Sequence, residues 1–372
     1  MDMKIGILGY GGYIGRNATE KLLRNNIKVL GGQRKESELF ANDPNFTYRY
    51  VDVKDPENLR SFINECDIVV NSVSPSHIYG KIIKDAVTEA GKIYVDPSDA
   101  SFEKDRENVK GKCVVSAGYI PGLSEFLPEV AAKRDFDKIE RTVVYQGGFD
   151  GCSAGSFVDM IIGAGNENFA GDSYIEKGVL KPLSISINKM HKTPFSDEQV
   201  IFKPMITLDT GRLHKITEAE KSYFFCTYAD RATLGFFMKL LMEVTKNDKE
   251  TAAKNIEEKL NERIRTNEKF ANQTPGAFLY IEIDGIKDNK RLNKAYKLYL
   301  TNVNKVCGYF LAETVLAVLQ NPEILREGLN YGSELVPESY ERVIPEEIGE
   351  EGYFRYEILS DEESVSIEKL QK

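Results

Sequence analysis

The chain has 372 residues, 41% hydrophobic and 29% charged, which is the composition of a globular protein long enough to form two domains. Its formal net charge of −9 argues against nucleic acid or an anionic membrane as the main partner. The five cysteines are scattered without a C-x-x-C pair, and the three histidines lie apart from them, so we expect neither a disulfide framework nor a metal site.

The same features favour a soluble protein of the cytoplasm with reduced thiols. A glycine-rich motif begins within a few residues of the start of the chain, so no signal peptide is expected before it. The most apolar later stretch, LGFFMKLLMEV, is short and is interrupted by Lys239, so no membrane span is expected either.

Short apolar runs alternate with amphipathic stretches over the first third of the chain. The Asp55-Pro56 pair predicts a helix start, with the aspartate as cap and the proline at the first helical position. Strands that alternate with helices at this spacing predict a Rossmann-type, doubly wound parallel sheet in an α/β fold. The predicted strands are 4–8, 27–32, 46–53, 67–73, 92–96 and 112–118, and further helices are predicted over 17–25 and 78–90.

The pattern changes after about residue 124, where longer strands appear at 140–148, 198–208 and 221–228. The segments 277–283 and 295–300 alternate apolar and polar residues around a polar turn, which predicts a hairpin. A charged helix is predicted over 249–269, and an apolar, buried one over 306–320. These features predict a second, α+β domain with a mixed or antiparallel sheet.

We therefore expect a nucleotide-binding domain over 1–123 and a substrate-binding and dimerisation domain over 124–303. The helix and tail over 304–372 are expected to pack back on the first domain. The acidic part of that tail, beyond Pro345, is expected to be a loosely packed extension.

The sequence GYGGYIG follows the first predicted strand. The strict G-x-G-x-x-G pattern fails because Ile14 stands where its last glycine belongs, but G-x-x-G-x-x-G fits Gly9, Gly12 and Gly15, with Gly11 as an additional glycine. Such a loop lets backbone N–H groups at a helix start face a pyrophosphate. A merely compact strand–helix turn is the alternative. The residues expected to hold the cofactor here are Gly9, Tyr10, Gly11, Gly12, Tyr13 and Ile14.

The end of the second strand bears on the choice of nucleotide. NAD-selective sites usually place an acidic residue there, whereas this chain has Gln33, Arg34 and Lys35. A guanidinium pairs well with a 2′-phosphate, which a carboxylate would repel. NADP(H) is therefore preferred. NAD(H) remains possible, since Arg34 and Lys35 could form a solvated loop while Glu36 turns inward.

Taken together, the motifs of the first 150 residues resemble the saccharopine dehydrogenase NADP-binding family in order and spacing. That family typically has a proline before a Tyr-Gly pair, an Ala-Gly pair before a Tyr-Val-Asp strand, and a Pro-Gly turn. The segments that carry the resemblance are GYGGYIG, GGQR, DIVVNSVSPSHIYG, AGKIYVD and SAGYIPGLSEFLP.

The second domain is similar to saccharopine reductase in two shorter segments. VVYQGGFDG (143–151) is similar to a Tyr-Cys-Gly-Gly strand end, and TYADRATL (227–234) to a segment whose arginine binds a substrate carboxylate. The resemblance implies that Gln146 and Arg231 bind substrate, although a surface salt bridge is the alternative for Arg231. Two departures stand out, because Ile120 replaces an acidic residue and Gln146 a cysteine of that family's acid–base chemistry.

The ligand of an open parallel sheet binds at the carboxyl ends of its strands, so Ser74 and Pro75 are expected to flank the nicotinamide. The candidate catalytic residues are His77, Tyr79, Asp96 and Cys152. Three of them have a simpler alternative: packing or helix capping for the histidine, helix capping for the aspartate, and a small loop residue for the cysteine.

The resemblance implies an NAD(P)H-dependent oxidoreductase of amino-acid metabolism that transfers a hydride to or from a C–N bond of an amino-acid-derived substrate. The expected partners are that small molecule and a second copy of the chain in a homodimer. A nucleotide-binding sensor or scaffold without catalysis, and a carbonyl reductase on the same fold, are the alternatives.

Overall fold

The computed structural model describes residues 3–99, 101–103, 105–149, 153–165, 170–193, 196–266, 276–336, 352–360 and 367–371. The chain divides into two compact units. The first comprises Met1–Leu123 and Asn304–Val343, and the second Ser124–Val303 and Ile344–Lys372.

The first unit is built on a sheet of seven parallel strands in the order β3-β2-β1-β4-β5-β6-β16, and the predicted doubly wound α/β fold is confirmed. Its strands are β1 (Ile5–Leu8), β2 (Val29–Gln33), β3 (Phe46–Tyr50), β4 (Ile68–Asn71), β5 (Ile93–Val95), β6 (Lys112–Val115) and β16 (Gly328–Tyr331). Its helices are α1 (Tyr13–Arg24), α2 (Pro56–Asn64), α3 (Ser76–Glu89), α9 (Val303–Gln320) and α10 (Gly332–Leu335), with short 3-10 turns at Glu38–Phe40 and Pro322–Ile324.

Among the described residues, two apolar clusters lie in the core of the first unit. One includes Leu22 of α1 and Val315 of α9, and the other includes Phe62 of α2 and Val87 of α3. The predicted cap of α2 is present, because the Asp55 carboxylate accepts hydrogen bonds from the first-turn N–H groups. By contrast, α1 begins at residue 13 rather than 17, since the glycine turn is short and the helix starts inside the motif.

The second unit contains a mixed sheet whose main path has the order β10-β9-β13-β7-β14-β15-β17. Strands β7 and β13 are parallel, and the other pairs on this path are antiparallel. The strands are β7 (Lys138–Phe149), β8 (Ala170–Gly171), β9 (Ser173–Glu176), β10 (Val179–Pro182), β11 (His191–Thr193), β12 (Ser196–Ile206), β13 (Lys221–Tyr228), β14 (Gly276–Lys287), β15 (Lys290–Leu300) and β17 (Gly352–Ile358). The helices are α4 (Leu123–Asp135), α5 (Ala154–Ala164), α6 (Leu213–Thr217), α7 (Arg231–Lys246), α8 (Lys249–Thr266) and α11 (Ile367–Gln371).

The predicted hairpin is present as β14 and β15, which are longer than the sequence indicated. Asp288 and Asn289 form its turn with φ angles of 50° and 60°. Two consecutive residues with positive φ match the right-handed twist of the flanking strands, and aspartate and asparagine tolerate that conformation.

The carboxyl-terminal segment differs from its prediction. Asn304–Val343 belongs to the first unit, whereas β17 pairs antiparallel with β15 in the second unit. The physical reason is the sequence GYFRYEI, in which aromatic and aliphatic residues recur among charged ones, so that it fits an edge strand despite its acidic surroundings.

Over the described ranges, no helix combines the length and the apolar character that a bilayer span requires. The cysteines within those ranges, Cys66, Cys113, Cys226 and Cys307, are free thiols. The same part of the chain holds no cluster of three or more histidine, cysteine or acidic side chains suited to a metal ion.

His191 on β11 is a buried titratable group in the second unit. It is 8% exposed and stacks on the ring of Phe202 at 5.4 Å between ring centres. Its Nε2 atom has no hydrogen-bond partner among the described residues. Burial, followed by the nearby charge of Lys189, lowers the pKa of His191 below its ordinary value of 6.5.

We predict that this histidine makes the fold sensitive to acid. Because the pKa is lower in the folded chain, the stabilisation is complete above pH 6.5 and is lost as the pH falls towards the folded-state pKa. The variant His191→Phe keeps the stacked ring without the buried nitrogen, so its melting temperature should fall less between pH 7 and pH 5 than that of the wild type. The variant His214→Asn, which retains His191, should behave as the wild type does. A melting temperature that falls equally between pH 7 and pH 5 in all three proteins would contradict the prediction.

Candidate functional site

The glycine loop forms a short turn between β1 and α1. Gly9 has a φ of 81° and donates its N–H to the carbonyl of Gly32 at 2.8 Å, and the N–H of Gly12 is bonded to the carbonyl of Gly9 at 2.9 Å. Gly12 is the N-cap of α1, and no side chain caps that helix end. The N–H groups of the first turn of α1 therefore have no capping side chain, which is the arrangement that binds a pyrophosphate.

Two glycines allow α1 to approach the strand ends closely. A Cβ atom on Gly9 would lie 2.9 Å from the carbonyl oxygen of Ser72, and one on Gly15 would overlap the carbonyl oxygen of Gly9. Both atoms belong to the main chain, so neither contact is tolerable without a shift of the backbone. The helix start thus occupies a cradle that side chains would fill, and the cradle fits the phosphates of a dinucleotide.

This cradle lies where the strand order reverses, because β1 has β2 on one side and β4 on the other. The N–H and the hydroxyl of Ser72 both donate to the carbonyl of Leu8, at 2.9 and 2.7 Å, and so join the segments that follow β1 and β4. Ser74 is exposed and Pro75, the N-cap of α3, is half-buried. Both lie at the edge of the sheet where the nicotinamide is expected, and their role beside it stays a prediction.

The end of β2 carries no carboxylate. Gln33 is half-buried there, and its Oε1 atom accepts the N–H of Gly11 at 2.9 Å. Arg34, Lys35 and Glu36 follow and are all exposed. No ion pair joins the Arg34 guanidinium to another residue of the described ranges, so it is free to meet an anion.

The other predicted loop residues have different surroundings. Tyr10 is fully buried and packs against the ring of Phe46 at 4.9 Å between ring centres, so only its main chain remains for a cofactor. Tyr13 is 50% exposed, with the Arg16 guanidinium 5.0 Å from the centre of its ring. Ile14 is partly buried and packs against the core.

His77 lies in the first turn of α3 and is buried against the segment that follows β5. The Ser101 hydroxyl is 3.2 Å from its Nδ1 atom. Phe102, the next residue, is buried in the same apolar cluster as α3, and the Glu103 carboxylate pairs with the Lys84 ammonium at 2.9 Å. His77 is therefore one of several contacts that fix residues 101–103 on α3, as the packing alternative for this histidine anticipates.

Asp96 is 1% exposed and accepts hydrogen bonds from four donors. These are the Tyr94 hydroxyl, the Asn71 amide at 2.7 Å, and the N–H and hydroxyl of Ser98 at 2.7 and 2.5 Å. Burial raises the pKa of Asp96, and these hydrogen bonds oppose the increase. Asn71 in turn accepts the N–H of Val73 at 3.0 Å, so the network orients the turn that follows β4.

The remaining catalytic candidates gain less from the structure. Tyr79 is half-buried on α3, and the Lys54 ammonium lies 5.5 Å from the centre of its ring. Cys152 lies outside the described residues. All four catalytic assignments remain predictions.

Gln146 is placed near the end of β7, directly opposite Cys226 on the parallel strand β13. Its side-chain Nε2 atom donates to the Cys226 sulfur at 2.9 Å, and its main-chain carbonyl accepts a hydrogen bond from the Thr227 hydroxyl at 3.0 Å. Burial raises the pKa of the Cys226 thiol to about 11, so this group is neutral near pH 7. The amide side chain is thereby fixed by its nitrogen.

Arg231 is the first residue of α7, just beyond β13. It is exposed, and its Nη2 atom donates to the carbonyl of Asn188 at 2.5 Å. Asp230 caps the helix by accepting the N–H of Thr233 at 2.7 Å. Because β7 and β13 are parallel, Gln146 and Arg231 both lie towards the carboxyl ends of these two strands.

Two residues of chemical interest escaped the sequence analysis. Cys226 is the thiol nearest to the position where the family pattern has cysteine, but only strand register places it beside Gln146. Glu125 is 1% exposed in the first turn of α4 and accepts the Ser124 hydroxyl at 2.8 Å. The sequence places Glu125 three residues after the Pro-Gly turn, whereas the family pattern has its acidic residue before that turn, where this chain has Ile120.

We predict that Asp96→Asn destabilises the first unit rather than acting on chemistry alone. An amide would place an NH2 group opposite hydrogen-bond donors, which should cost about 2 kcal/mol of the free energy of unfolding. Denaturant unfolding measures this loss. The variant Asp99→Asn, at a half-buried neighbour, should lose less; an Asp96→Asn protein with unchanged stability but abolished turnover would instead favour a catalytic aspartate.

Residues 5–113 match the family model described as saccharopine dehydrogenase NADP binding domain. No curated protein matches the chain. Among solved structures, apo saccharopine dehydrogenase (L-Glu forming) from Saccharomyces cerevisiae is similar over 96% of this chain and 100% of that chain, with 14% identity and a TM-score of 0.64.

Two further similarities are confined to about a quarter of this chain. A yeast methylglyoxal/isovaleraldehyde reductase complexed with NADPH is 21% identical over 29% of this chain and 41% of that chain, with a TM-score of 0.24. An isoflavone reductase is 24% identical over 26% of this chain and 36% of that chain, with a TM-score of 0.23. The chain thus has the fold of saccharopine dehydrogenase, and its residues 5–113 match the model of the saccharopine dehydrogenase NADP-binding domain, the family that the motifs resemble.

Proposed function

We propose that this chain is an NADP(H)-dependent oxidoreductase that transfers a hydride to or from a C–N bond of an amino-acid-derived substrate. The observation that carries the proposal is the combination, within residues 5–113, of an uncapped helix start in a glycine cradle with an exposed Arg34 that no described residue pairs with. The fold shared with the yeast saccharopine dehydrogenase supports the choice of a C–N bond.

The residues of the first unit have separate tasks in this proposal. The N–H groups at the start of α1 bind the pyrophosphate, and Arg34 forms a two-pronged contact with the 2′-phosphate. Ser74 and Pro75 limit the space beside the nicotinamide, which supplies or accepts the hydride when it is bound. The Asp96 network holds that wall in place through Asn71 and the turn after β4.

The second unit offers groups suited to an amino acid. The Arg231 guanidinium provides paired donors for a carboxylate. The Gln146 amide is held by its nitrogen, which leaves the Oε1 atom as an acceptor for an amine N–H. An amino acid, which carries both a carboxylate and an amine, is therefore the substrate class we favour.

Two further readings have specific support. The replacement of acid–base groups by Ile120 and Gln146, together with the hydrogen-bonded states of His77 and Asp96, favours a nucleotide-binding sensor without catalysis as the second candidate. Reduction of a carbonyl in place of an imine would need only a different substrate atom. Because Ile120 and Gln146 replace those acid–base groups, we do not propose saccharopine itself as the substrate.

The cytoplasmic location, the role in amino-acid metabolism and the homodimer also remain proposals. Strand β17 supports a second copy of the chain as partner, because it ends the strand order of its sheet and exposes Tyr356 and Ile358 by 54% and 72%. Antiparallel pairing of two copies about Tyr356 would place Arg355 of each opposite Glu357 of the other.

We predict that Arg34→Ala weakens NADPH binding about 10- to 100-fold and changes NADH binding about twofold or less, since only NADPH offers a phosphate to the guanidinium. Fluorescence titration with both nucleotides measures the two dissociation constants. The variant Lys35→Ala should have a smaller effect, because a lysine is a point charge without a donor fork. Equal losses for NADPH and NADH in Arg34→Ala, or tighter binding of NADH by the wild type, would refute the assignment.

We predict that Arg231→Ala raises the KM for the amino-acid substrate about 100-fold without changing the dissociation constant for NADPH, because a carboxylate loses its charged partner. A panel of amino acids paired with 2-oxo acids identifies the substrate by NADPH oxidation. Lys239→Ala on the same helix provides the matched control and should leave KM unchanged. Tight NADPH binding without turnover across the whole panel would favour the sensor instead.

A further inference from the structure

The segment 34–36 joins β2 to the 3-10 turn Glu38–Phe40 and carries the guanidinium that meets the 2′-phosphate in the proposed function. All three of its residues are exposed, as a solvated loop would be. Side-chain hydrogen bonds nevertheless connect Gln33 and Ser37, which flank the segment, with the loop between β1 and α1. The segment is therefore held at Gln33 and at Ser37.

At Gln33, both polar atoms of the side-chain amide form hydrogen bonds. The Oε1 atom accepts the N–H of Gly11 at 2.9 Å, and the Nε2 atom donates to the carbonyl of Lys35 at 2.5 Å. The main-chain carbonyl of Gln33 accepts the N–H of Val51 at 3.1 Å and the hydroxyl of Tyr48 at 3.2 Å. A Cβ atom on residue 11 would lie 2.7 Å from Oε1, so any larger residue there would displace the Gln33 amide from this contact.

At Ser37, the main chain forms hydrogen bonds with the Tyr10 hydroxyl. The Tyr10 hydroxyl accepts the N–H of Ser37 at 2.9 Å and donates to its carbonyl at 3.4 Å. The ring is fully buried and packs on Phe40 and Phe46, so the hydroxyl has a fixed position. Burial also raises the pKa of Tyr10, so the hydroxyl stays protonated and can both donate and accept.

We propose that Tyr10 and Gln33 form a brace that holds Arg34 in place before the nucleotide binds, so that both are positioning residues for NADPH selectivity. The proposal rests on the proposed function in assigning the 2′-phosphate to Arg34. A guanidinium on a free segment loses conformational entropy when it is ordered by a phosphate, and a braced segment has already lost much of it. NADH makes no contact that depends on Arg34, so the brace should matter less for it.

The first arm of the test needs no nucleotide. Arg34 and Lys35 are trypsin sites, and cleavage needs the segment to leave the brace. Limited digestion of the full chain, followed by mass spectrometry, should show cleavage after these residues about fivefold faster in Tyr10→Phe, which loses the hydroxyl but keeps the ring. The control Tyr309→Phe removes another buried hydroxyl of the first unit, which accepts from Arg24 at 3.4 Å, and should be cleaved as the wild type is.

The second arm measures the dissociation constants for NADPH and NADH by fluorescence. Tyr10→Phe should lower the preference for NADPH about fivefold, whereas Tyr309→Phe should leave it unchanged. Gln33→Met keeps the length of the side chain and removes both amide contacts, so it should shift cleavage and preference in the same direction. It also replaces Tyr10→Phe if that variant does not fold.

The outcomes separate this inference from the proposed function. Unchanged cleavage in both Tyr10→Phe and Gln33→Met overturns the brace, whatever the affinities. Faster cleavage with an unchanged preference also overturns it, although the proposed function stands if Arg34→Ala still lowers the preference. A wild-type protein that binds NADH at least as tightly as NADPH overturns the proposed NADP selectivity and the positioning role with it.

Discussion

The first unit depends on the direct contact of α1 with the ends of β1 and β4. Ser72 joins these strand ends by two hydrogen bonds to the carbonyl of Leu8, and Gly9 and Gly15 leave no side chain between them and the helix. A side chain at either glycine would push the helix away from the strand ends. Once α1 is fixed there, its uncapped first turn faces the space beyond the sheet, which is where an anion gains most from free N–H groups.

The central strands β1, β4 and β5 of the parallel sheet were predictable because they are buried along their whole length, so each is a short apolar run that local sequence reveals. The edge strand β17 was not, since its one-sided alternation in GYFRYEI lies in an acidic tail and gains its meaning from pairing with β15. The early start of α1 was missed for a related reason. Periodicity detects the buried face of a helix, whereas its first turn is set by the preceding backbone turn.

The candidate site likewise has parts that the sequence predicts and parts that it does not. The cradle and Arg34 could be predicted because each depends on a few consecutive residues. The surroundings of His77 and Asp96 could not, because they depend on Ser101 and Asn71, which are 24 and 25 residues away in the chain. A buried histidine or aspartate at a strand end has the same sequence signature whether it transfers a proton or accepts a structural hydrogen bond. Only the number and direction of its partners separate the two roles.

Gln146 illustrates how a departure from the family pattern acquires physical meaning. The thiol absent from β7 has a counterpart on β13, where strand register puts Cys226 opposite the amide. With its pKa raised to about 11, that thiol does not ionise near neutral pH and serves to hold the amide nitrogen. Towards the ends of these two strands, the described residues include the neutral pair Gln146 and Cys226 and the charged Arg231 guanidinium. In the proposed function, these groups would distinguish ligands by the placement of charge and hydrogen bonds.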